Sequence, residues 1–149
     1  MNSHPLDLDE TDWAILRLLQ DDARLSYSEI GRRVHLSQPA VAERVRALEE
    51  QDIITGYHAS LNMSRIGRPV TAFIRVATGT TADAEQISAL MRDFSEVLEL
   101  HRVTGIDGVV LRVAAPSIAR LNEILNTIGK VSVPVTSIVL ESDWTRRTV

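Results

Sequence analysis

Arginine side chains outnumber acidic ones in one short stretch, residues 30–48. This stretch holds four arginines and a single acid, a net charge of +3, although the whole chain carries −4. Guanidinium groups bind phosphates and guanine edges, and amide or carboxylate side chains meet other base edges. Charges elsewhere matter little here, because exposed charges beyond about 8–10 Å are largely screened. The stretch indicates a nucleic-acid contact, with a solvated helix surface carrying scattered arginines as the alternative.

The spacing within this stretch predicts a helix whose outward side is slim. Ser37 is placed to cap the helix, and Pro39 is tolerated in its first turn because the missing amide would have no partner there. At 100° per residue, Val41, Val45 and Leu48 form the inward stripe. The opposite side carries small residues that would let the backbone enter a major groove about 12 Å wide. The candidate DNA-binding residues are Arg32, Ser37, Gln38, Pro39, Ala42, Glu43, Arg44 and Arg46.

For three of these candidates, Arg44, Glu43 and Arg46, the sequence leaves a second role open. Arg44 lies on the flank of the helix, where an ion pair is as reasonable as a phosphate contact. Gln38 and Glu43 are placed to meet base edges near the helix start, and Arg46 to reach a guanine or a phosphate. For Glu43 and Arg46 the alternative is simple exposure to solvent.

Two preceding helices would support this one. Asp9 can cap the first, and Ser26 or Ser28 the second. Their inward residues are expected to be Trp13, Leu16, Leu19, Ile30 and Val34. Gly31 within the second helix costs about 1 kcal/mol relative to Ala, which suggests that another helix approaches closely there. Three short helices with a tight second turn form a helix-turn-helix.

Apolar residues around Gly56 then suggest a short strand or hairpin that would return to the helices as a wing. They are Ile53, Ile54, Tyr57, Ala59 and Leu61. Gly67 and Pro69 close the next segment and favour a domain boundary there. The expected domains are a winged helix-turn-helix over residues 1–61, a linker over 62–68 and a second domain over 69–149.

The second domain follows a βαββαβ order. The strands are "VTAFIRVA", "VLELHRVTG", "GVVLRVAA" and "VSVPVTSIVLES", with helices beginning near Thr81 and Pro116. This order is typical of a ferredoxin-like sandwich, so the whole chain is expected to be an α+β protein.

One face of the predicted sheet lacks a cover. Phe73 alternates with the inward residues of the first strand, and Val133, Val135 and Val139 oppose Ile138 and Leu140 in the last. Two helices cover only one face, so the other favours self-association. Pro134 suits an edge strand.

Several other chemistries find little support. The chain has no Cys, its four His residues lack metal-ligand spacing, and no P-loop or local Ser-His-Asp motif is present. No cofactor or metal is expected. The N-terminus lacks a signal sequence, and no segment approaches the roughly 20 apolar residues of a membrane helix, which predicts a cytoplasmic protein without a membrane partner.

The chain resembles the leucine-responsive regulatory protein/AsnC family of prokaryotic transcription regulators. The most specific match runs in order and spacing through Leu36, Ser37, Val41, Arg44, Val45, Leu48, Glu49, Ile54, Gly56 and Tyr57. The resemblance implies an N-terminal winged helix that binds double-stranded DNA. It also implies a C-terminal domain that pairs back to back as a homodimer, often builds octamers, and binds a small effector, commonly an amino acid.

The chain departs from the family pattern in two turns. His35 stands where Gly is common, and His is among the residues enriched at positive φ. The hairpin reads "TGIDG", without the family's aromatics. By position, the effector candidates are Thr104, Gly105, Ile106, Asp107, Gly108 and Thr136. Asp107 would bind an α-ammonium group or be an ordinary turn residue, and Gly108 would leave room for an aliphatic or bulky aromatic amino acid.

Two other functions stay open from the sequence alone. One is an architectural DNA-binding protein without an effector. The other is a small ferredoxin-like enzyme, because a fold does not fix a function.

Overall fold

The structure, a computed structural model, describes residues 8–142 and residue 148. It divides into two compact units between Ser60 and Leu61. The first unit contains α1 (Glu10–Asp21), α2 (Tyr27–Val34) and α3 (Gln38–Glu50). The second contains β1 (Val70–Val76), α4 (Thr81–Met91), β2 (Val97–Arg102), β3 (Val109–Ala115), α5 (Ile118–Ile128) and β4 (Pro134–Ile138). Over residues 8–142, no helix is long and apolar enough to cross a membrane.

Each helix of the first unit begins at a residue whose side chain accepts a bond from the first turn. Asp9 accepts from the Asp12 amide at 2.8 Å, and the Asp12 carboxylate accepts from the Asp9 amide at 3.2 Å. This reciprocal pair is a capping box. Ser26 and Ser37 cap α2 and α3 in the same way. The predicted helix starts are confirmed, with Ser26 rather than Ser28 as the second cap.

The three helices of the first unit enclose one apolar core. Its buried members are Ile15, Leu16, Leu19, Ile30, Val41, Val45 and Leu48. The inward stripe predicted for α3 is therefore confirmed. The prediction for Trp13 is wrong, since its side chain is 40% exposed. Ile15, Leu16 and Leu19 set the inward direction of α1, and at 100° per residue Trp13 lies about 110° away from it.

The wing strand predicted after α3 is not formed. Between α3 and β1 the structure has no strand. Instead the chain turns back at once, and the amides of Ile53 and Ile54 both donate to the Leu48 carbonyl, at 2.9 and 3.1 Å. Tyr57 then donates its hydroxyl to Glu49 at 2.8 Å. The apolar pattern at 53–57 reflects packing against the end of α3 rather than strand pairing.

The second unit is a four-stranded sheet covered by α4 and α5. The strand order is β2-β3-β1-β4, with all neighbours antiparallel. This confirms the predicted ferredoxin-like βαββαβ fold. The helix caps are Thr80 and Ser117, each one residue from the expected start. For α4 the register is fixed by a second capping box, because Asp83 accepts from the Thr80 amide at 2.9 Å.

The two faces of the sheet differ as predicted. The helix-covered face of β1 is fully buried at Ala72, Ile74 and Val76. On the other face Phe73 is 44% and Val135 is 50% exposed. In the described part of the unit, no helix covers this second face, which is called the open face below.

Both edge strands of the sheet are irregular. The pairing of β2 with β3 shifts register between Val97 and Glu99. At the other edge β4 begins with Pro134, whose nitrogen has no hydrogen to donate. Pro134 therefore occupies the edge position that the sequence predicted.

Candidate nucleic-acid interface and effector site

The outward side of α3 carries most of the predicted DNA-binding residues. Burial of Val41 and Val45 fixes the rotation of the helix, so the side chains that point away from the core are exposed. The exposed candidates are Ser37, Gln38, Pro39, Glu43 and Arg46. Ala42 is half-buried, which places it on the flank rather than at the centre of this surface.

The turn that leads into α3 depends on two unusual positions. His35 adopts the left-handed conformation, with φ 58° and ψ 38°, as its place in the turn predicted. Gly31 accepts from the Leu36 amide at 2.9 Å. A Cβ added to Gly31 would overlap the Leu36 carbonyl oxygen and would lie 3.5 Å from Val41 of α3. A close approach at Gly31 is confirmed, but the group that comes closest is the Leu36 carbonyl of the turn rather than the expected helix, because α3 makes only an ordinary contact there.

Arg44 is committed to a contact within the first unit. Its guanidinium lies 2.7 Å from Asp9 and 2.8 Å from Asp12, the two members of the α1 capping box. The Asp12 amide and Arg44 together hold the pKa of Asp9 below its usual range. The same carboxylates raise the pKa of Arg44. Of the two roles left open for Arg44, the geometry favours the ion pair, which fastens α3 to the start of α1.

Arg32 is the most exposed of the paired candidates but shares a carboxylate with its neighbour. Glu29 accepts from Arg32 at 2.7 Å and from Arg33 at 2.9 Å. Both contacts stabilise the charged carboxylate, and they lower the pKa of Glu29 to about 2. The Arg32 side chain remains 74% exposed, so its position on α2 leaves it able to reach a phosphate.

Arg46 differs from these three arginines. Over residues 8–60, ion pairs form at Arg32, Arg33 and Arg44, and none involves Arg46. Its side chain is exposed on the outward side of α3. Arg46 is therefore a cation that an incoming anion can meet without breaking an existing pair.

The hairpin between β2 and β3 brings five of the six effector candidates together. Gly105 and Gly108 adopt positive φ values of 104° and 65°. The Val103 amide donates to the Gly108 carbonyl at 2.8 Å and closes the turn. Ile106 lies at its tip with 86% of its surface exposed. Asp107 is partly buried, and its carboxylate lies 3.9 Å from the Arg75 guanidinium of β1.

The space expected at Gly108 is already filled. A Cβ at this position would overlap the Thr78 hydroxyl and lie 3.0 Å from the Thr78 Cβ. The expectation that Gly108 gives an effector more room is therefore wrong. The loop after β1 packs against the hairpin and takes up that volume, which sequence spacing alone does not reveal.

Thr136 lies apart from the other effector candidates. It pairs with Ile74 on the helix-covered face of the sheet, and β1 separates its strand from the hairpin strands. Its hydroxyl oxygen is buried and has no hydrogen-bond partner among residues 8–142. Buried hydroxyls without partners are uncommon and costly. Thr136 is thus a polar group for which the described part of the chain provides no partner.

The described residues contain no group of three or more potential metal ligands. The chain combines a helix-turn-helix whose third helix exposes Arg46 with a ferredoxin-like unit. This combination defines a DNA-binding transcription regulator with a ligand-binding domain. Its two parts match the AsnC-type helix-turn-helix domain over residues 8–49 and the Lrp/AsnC ligand binding domain over residues 71–149. The chain belongs to the Lrp/AsnC family of transcriptional regulators.

Relatives and solved structures agree with this membership. An uncharacterized HTH-type transcriptional regulator of Bacillus subtilis, YezC, is 36% identical over 135 residues, covering 91% of this chain and 95% of YezC. The structure of LrpC from the same organism has a TM-score of 0.87 at 28% identity, covering 95% and 100% of the two chains. The transcriptional regulator NMB0573 of Neisseria meningitidis, solved in complex with L-methionine, has a TM-score of 0.86 at 28% identity, covering 95% and 96%.

Proposed function

We propose that this regulator binds double-stranded DNA through the outward side of α3 and that a small effector, an amino acid, modulates this binding. The observation that carries the DNA contact is Arg46, an exposed arginine on the outward side of α3 that forms no ion pair within residues 8–60. Gln38 and Glu43 would meet base edges beside it, and Arg32 would hold a phosphate. Arg44 would act indirectly, by fixing the orientation of α3. A DNA target also supports the cytoplasmic location expected from the sequence.

The test is a comparison of Arg46→Ala with Arg17→Ala on a duplex selected from random sequences. Arg17 is also exposed and lies on α1, so the two variants lose the same charge from the same unit. Loss of a base contact should weaken binding by about 1–3 kcal/mol and relax the sequence preference at one base pair. Loss of a phosphate contact should weaken all sequences evenly and lower the salt slope by about one. Equal behaviour of the two variants would place the DNA surface elsewhere.

We also propose that the open face of the sheet pairs with a second copy of the chain, giving a homodimer that can build a homo-octamer. Phe73 and Val135 are too exposed for an apolar surface that has no partner. Phe73→Glu should lower the molar mass measured by light scattering at micromolar concentration. Ile118→Glu is the matched control, because Ile118 is 50% exposed but lies on α5. If Phe73→Glu keeps the molar mass of the wild type, the open face is not the dimer interface.

The effector is proposed to be an amino acid whose α-ammonium meets Asp107. Support comes from the match to a ligand-binding domain and from the L-methionine complex of the Neisseria relative. Titration calorimetry of the full chain against the twenty amino acids is the direct test, followed by DNA binding with the tightest one. If none binds at millimolar concentration, the chain is an architectural DNA-binding protein and Asp107 is an ordinary turn residue.

A further inference from the structure

Glu29 of α2 holds two arginines at once. Its Oε2 accepts from the Arg32 Nε at 3.0 Å, and its Oε1 accepts from the Arg32 Nη2 at 2.7 Å and from the Arg33 Nε at 2.9 Å. The two bonds to Arg32 run side by side, which is the strongest arrangement between a guanidinium and a carboxylate. Both arginines lower the pKa of Glu29 to about 2, so this carboxylate is charged at neutral pH.

The acids that balance the basic stretch of the sequence lie outside that stretch. Glu29 pairs with two of its arginines, and the α1 capping box pairs with Arg44. Of its four arginines, only Arg46 forms no ion pair within residues 8–60. Attraction to phosphates in general grows with the number of cations that are available to them. The DNA-binding unit is therefore less basic toward DNA than the charge of the stretch suggests.

The pair between Glu29 and Arg32 lies where DNA can compete for it. The Arg32 side chain is 74% exposed, and that of Glu29 is 30% exposed. Exposed ion pairs are weak because water solvates both charges. If Arg32 turns toward a phosphate, Glu29 keeps its bond to Arg33, so the carboxylate is not left without a cation. The exchange replaces one ion pair of Arg32 by another, and its net gain is small.

We propose that Glu29 is a specificity-determining residue, which restrains Arg32 so that Arg32 contacts a phosphate only when α3 fits the bases. This inference rests on the DNA surface proposed above and adds an acid that acts through Arg32. On a wrong sequence the exchange gains little, so the complex stays weak. On the correct sequence the base contacts of α3 hold a phosphate beside Arg32. Specificity is a difference of affinities, and weakening the wrong complex raises it.

The experiment compares the full chain with its Glu29→Gln variant on two duplexes. One duplex is selected from random sequences, and the other is a scrambled sequence of the same length. Gln keeps the size of the side chain but loses its charge, which leaves Arg32 available to any phosphate. Affinities are measured by fluorescence anisotropy across a series of salt concentrations.

The expected result is a loss of specificity rather than a loss of binding. One new phosphate contact per chain should steepen the salt slope on the scrambled duplex by about one and raise that affinity roughly five-fold at about 0.15 M salt. The affinity for the selected duplex should rise less, because Arg32 already contacts a phosphate there. The ratio of the two affinities should therefore fall by up to roughly five-fold.

Asp21→Asn is the matched control for the change in charge. Asp21 is exposed in the last turn of α1 and forms no ion pair within residues 8–60. Its replacement should raise both affinities slightly and leave their ratio unchanged. In an Arg32→Gln background, Glu29→Gln should change the ratio less than it does in the wild type. Thermal melting of each variant separates an effect on binding from an effect on folding.

The outcomes distinguish this inference from the function on which it rests. If Glu29→Gln changes the ratio no more than Asp21→Asn does, or weakens both duplexes with an unchanged melting temperature, then Glu29 does not restrain Arg32. The DNA-binding proposal would stand in either case, because the wild type would still prefer the selected duplex. If the wild type binds both duplexes equally, sequence-specific binding itself fails.

Discussion

Replacing Gly31 by Ala should destabilise the helix-turn-helix although Ala is the better helix former. The new Cβ would overlap the Leu36 carbonyl oxygen, a main-chain atom that no side-chain rotation can move away. Forced backbone shifts in a packed region cost about 1–3 kcal/mol. The shift also strains the bond from the Leu36 amide to Gly31, at about 1 kcal/mol, while helix propensity returns about 1 kcal/mol. The net loss should be about 2 kcal/mol.

The assay should report on the first unit alone. The chain has two tryptophans, so in a Trp144→Phe background the emission of Trp13 on α1 follows unfolding of this unit. A loss of about 2 kcal/mol should lower the melting temperature by roughly 8–16 °C for a unit of this size. DNA affinity should fall as well, because the same turn sets the direction of α3.

Gly79→Ala is the control for Gly31→Ala, and its melting is followed by circular dichroism because Gly79 lies in the second unit. A Cβ at Gly79 would make only an ordinary contact, 3.5 Å from Asp83, and the backbone there is not left-handed. This change should be neutral or slightly stabilising, because Ala restricts the unfolded chain. If Gly31→Ala raised the melting temperature, the close approach of the Leu36 carbonyl would not constrain the folded turn.

Three further changes test the second unit by thermal or denaturant unfolding. Gly108→Ala should destabilise it by about 1–3 kcal/mol, because the residue has positive φ and its Cβ would meet Thr78; a neutral result would contradict that packing. Glu96→Gln should cost about 1–3 kcal/mol at pH 7, because the nearly buried Glu96 pairs with Arg120 at 2.7 Å. Arg120 lowers the pKa of Glu96 below its usual 4.5. The stability lost by Glu96→Gln should therefore become smaller as the pH falls below about 4.5. If that loss stayed constant down to pH 2, the ion pair would not be its cause. Thr136→Val should stabilise the unit by about 1 kcal/mol by removing the unpartnered hydroxyl, and a loss of stability would mean that the hydroxyl has a partner in the assembled protein.

Most of the fold could be predicted because its signals are local. A capping residue such as Ser37 acts within one helical turn, and the spacing of Val41, Val45 and Leu48 defines a face without reference to any other segment. The same holds for the alternation along β1 that exposes Phe73. The wing was predicted wrongly because short apolar runs look alike whether they pair as strands or pack against a helix end.

The roles of individual charged residues were less accessible from the sequence. Arg44 contacts Asp12 and Asp9, which precede it in the sequence by 32 and 35 positions. Only the packing of α3 on α1 brings these side chains together. The proximity of Thr78 to Gly108 likewise depends on two separate loops. By contrast, Glu29 lies three and four residues before Arg32 and Arg33, which is the standard spacing of helical ion pairs. That pairing was visible in the sequence and was missed.

The irregular edges of the sheet bear on how large an assembly can grow. An edge strand with free amides and carbonyls can pair with an edge strand of another molecule. Each such pairing leaves a new free edge, so growth of this kind ends in fibres. Here the first residue of β4 has no amide hydrogen, and the edge strand β2 carries a register shift in its pairing with β3. Pairing through the open face is different, because two copies cover each other and leave no further copy of that surface. The proline and the register shift thus oppose open-ended growth through the sheet edges, while the proposed pairing through the open face would give a closed particle.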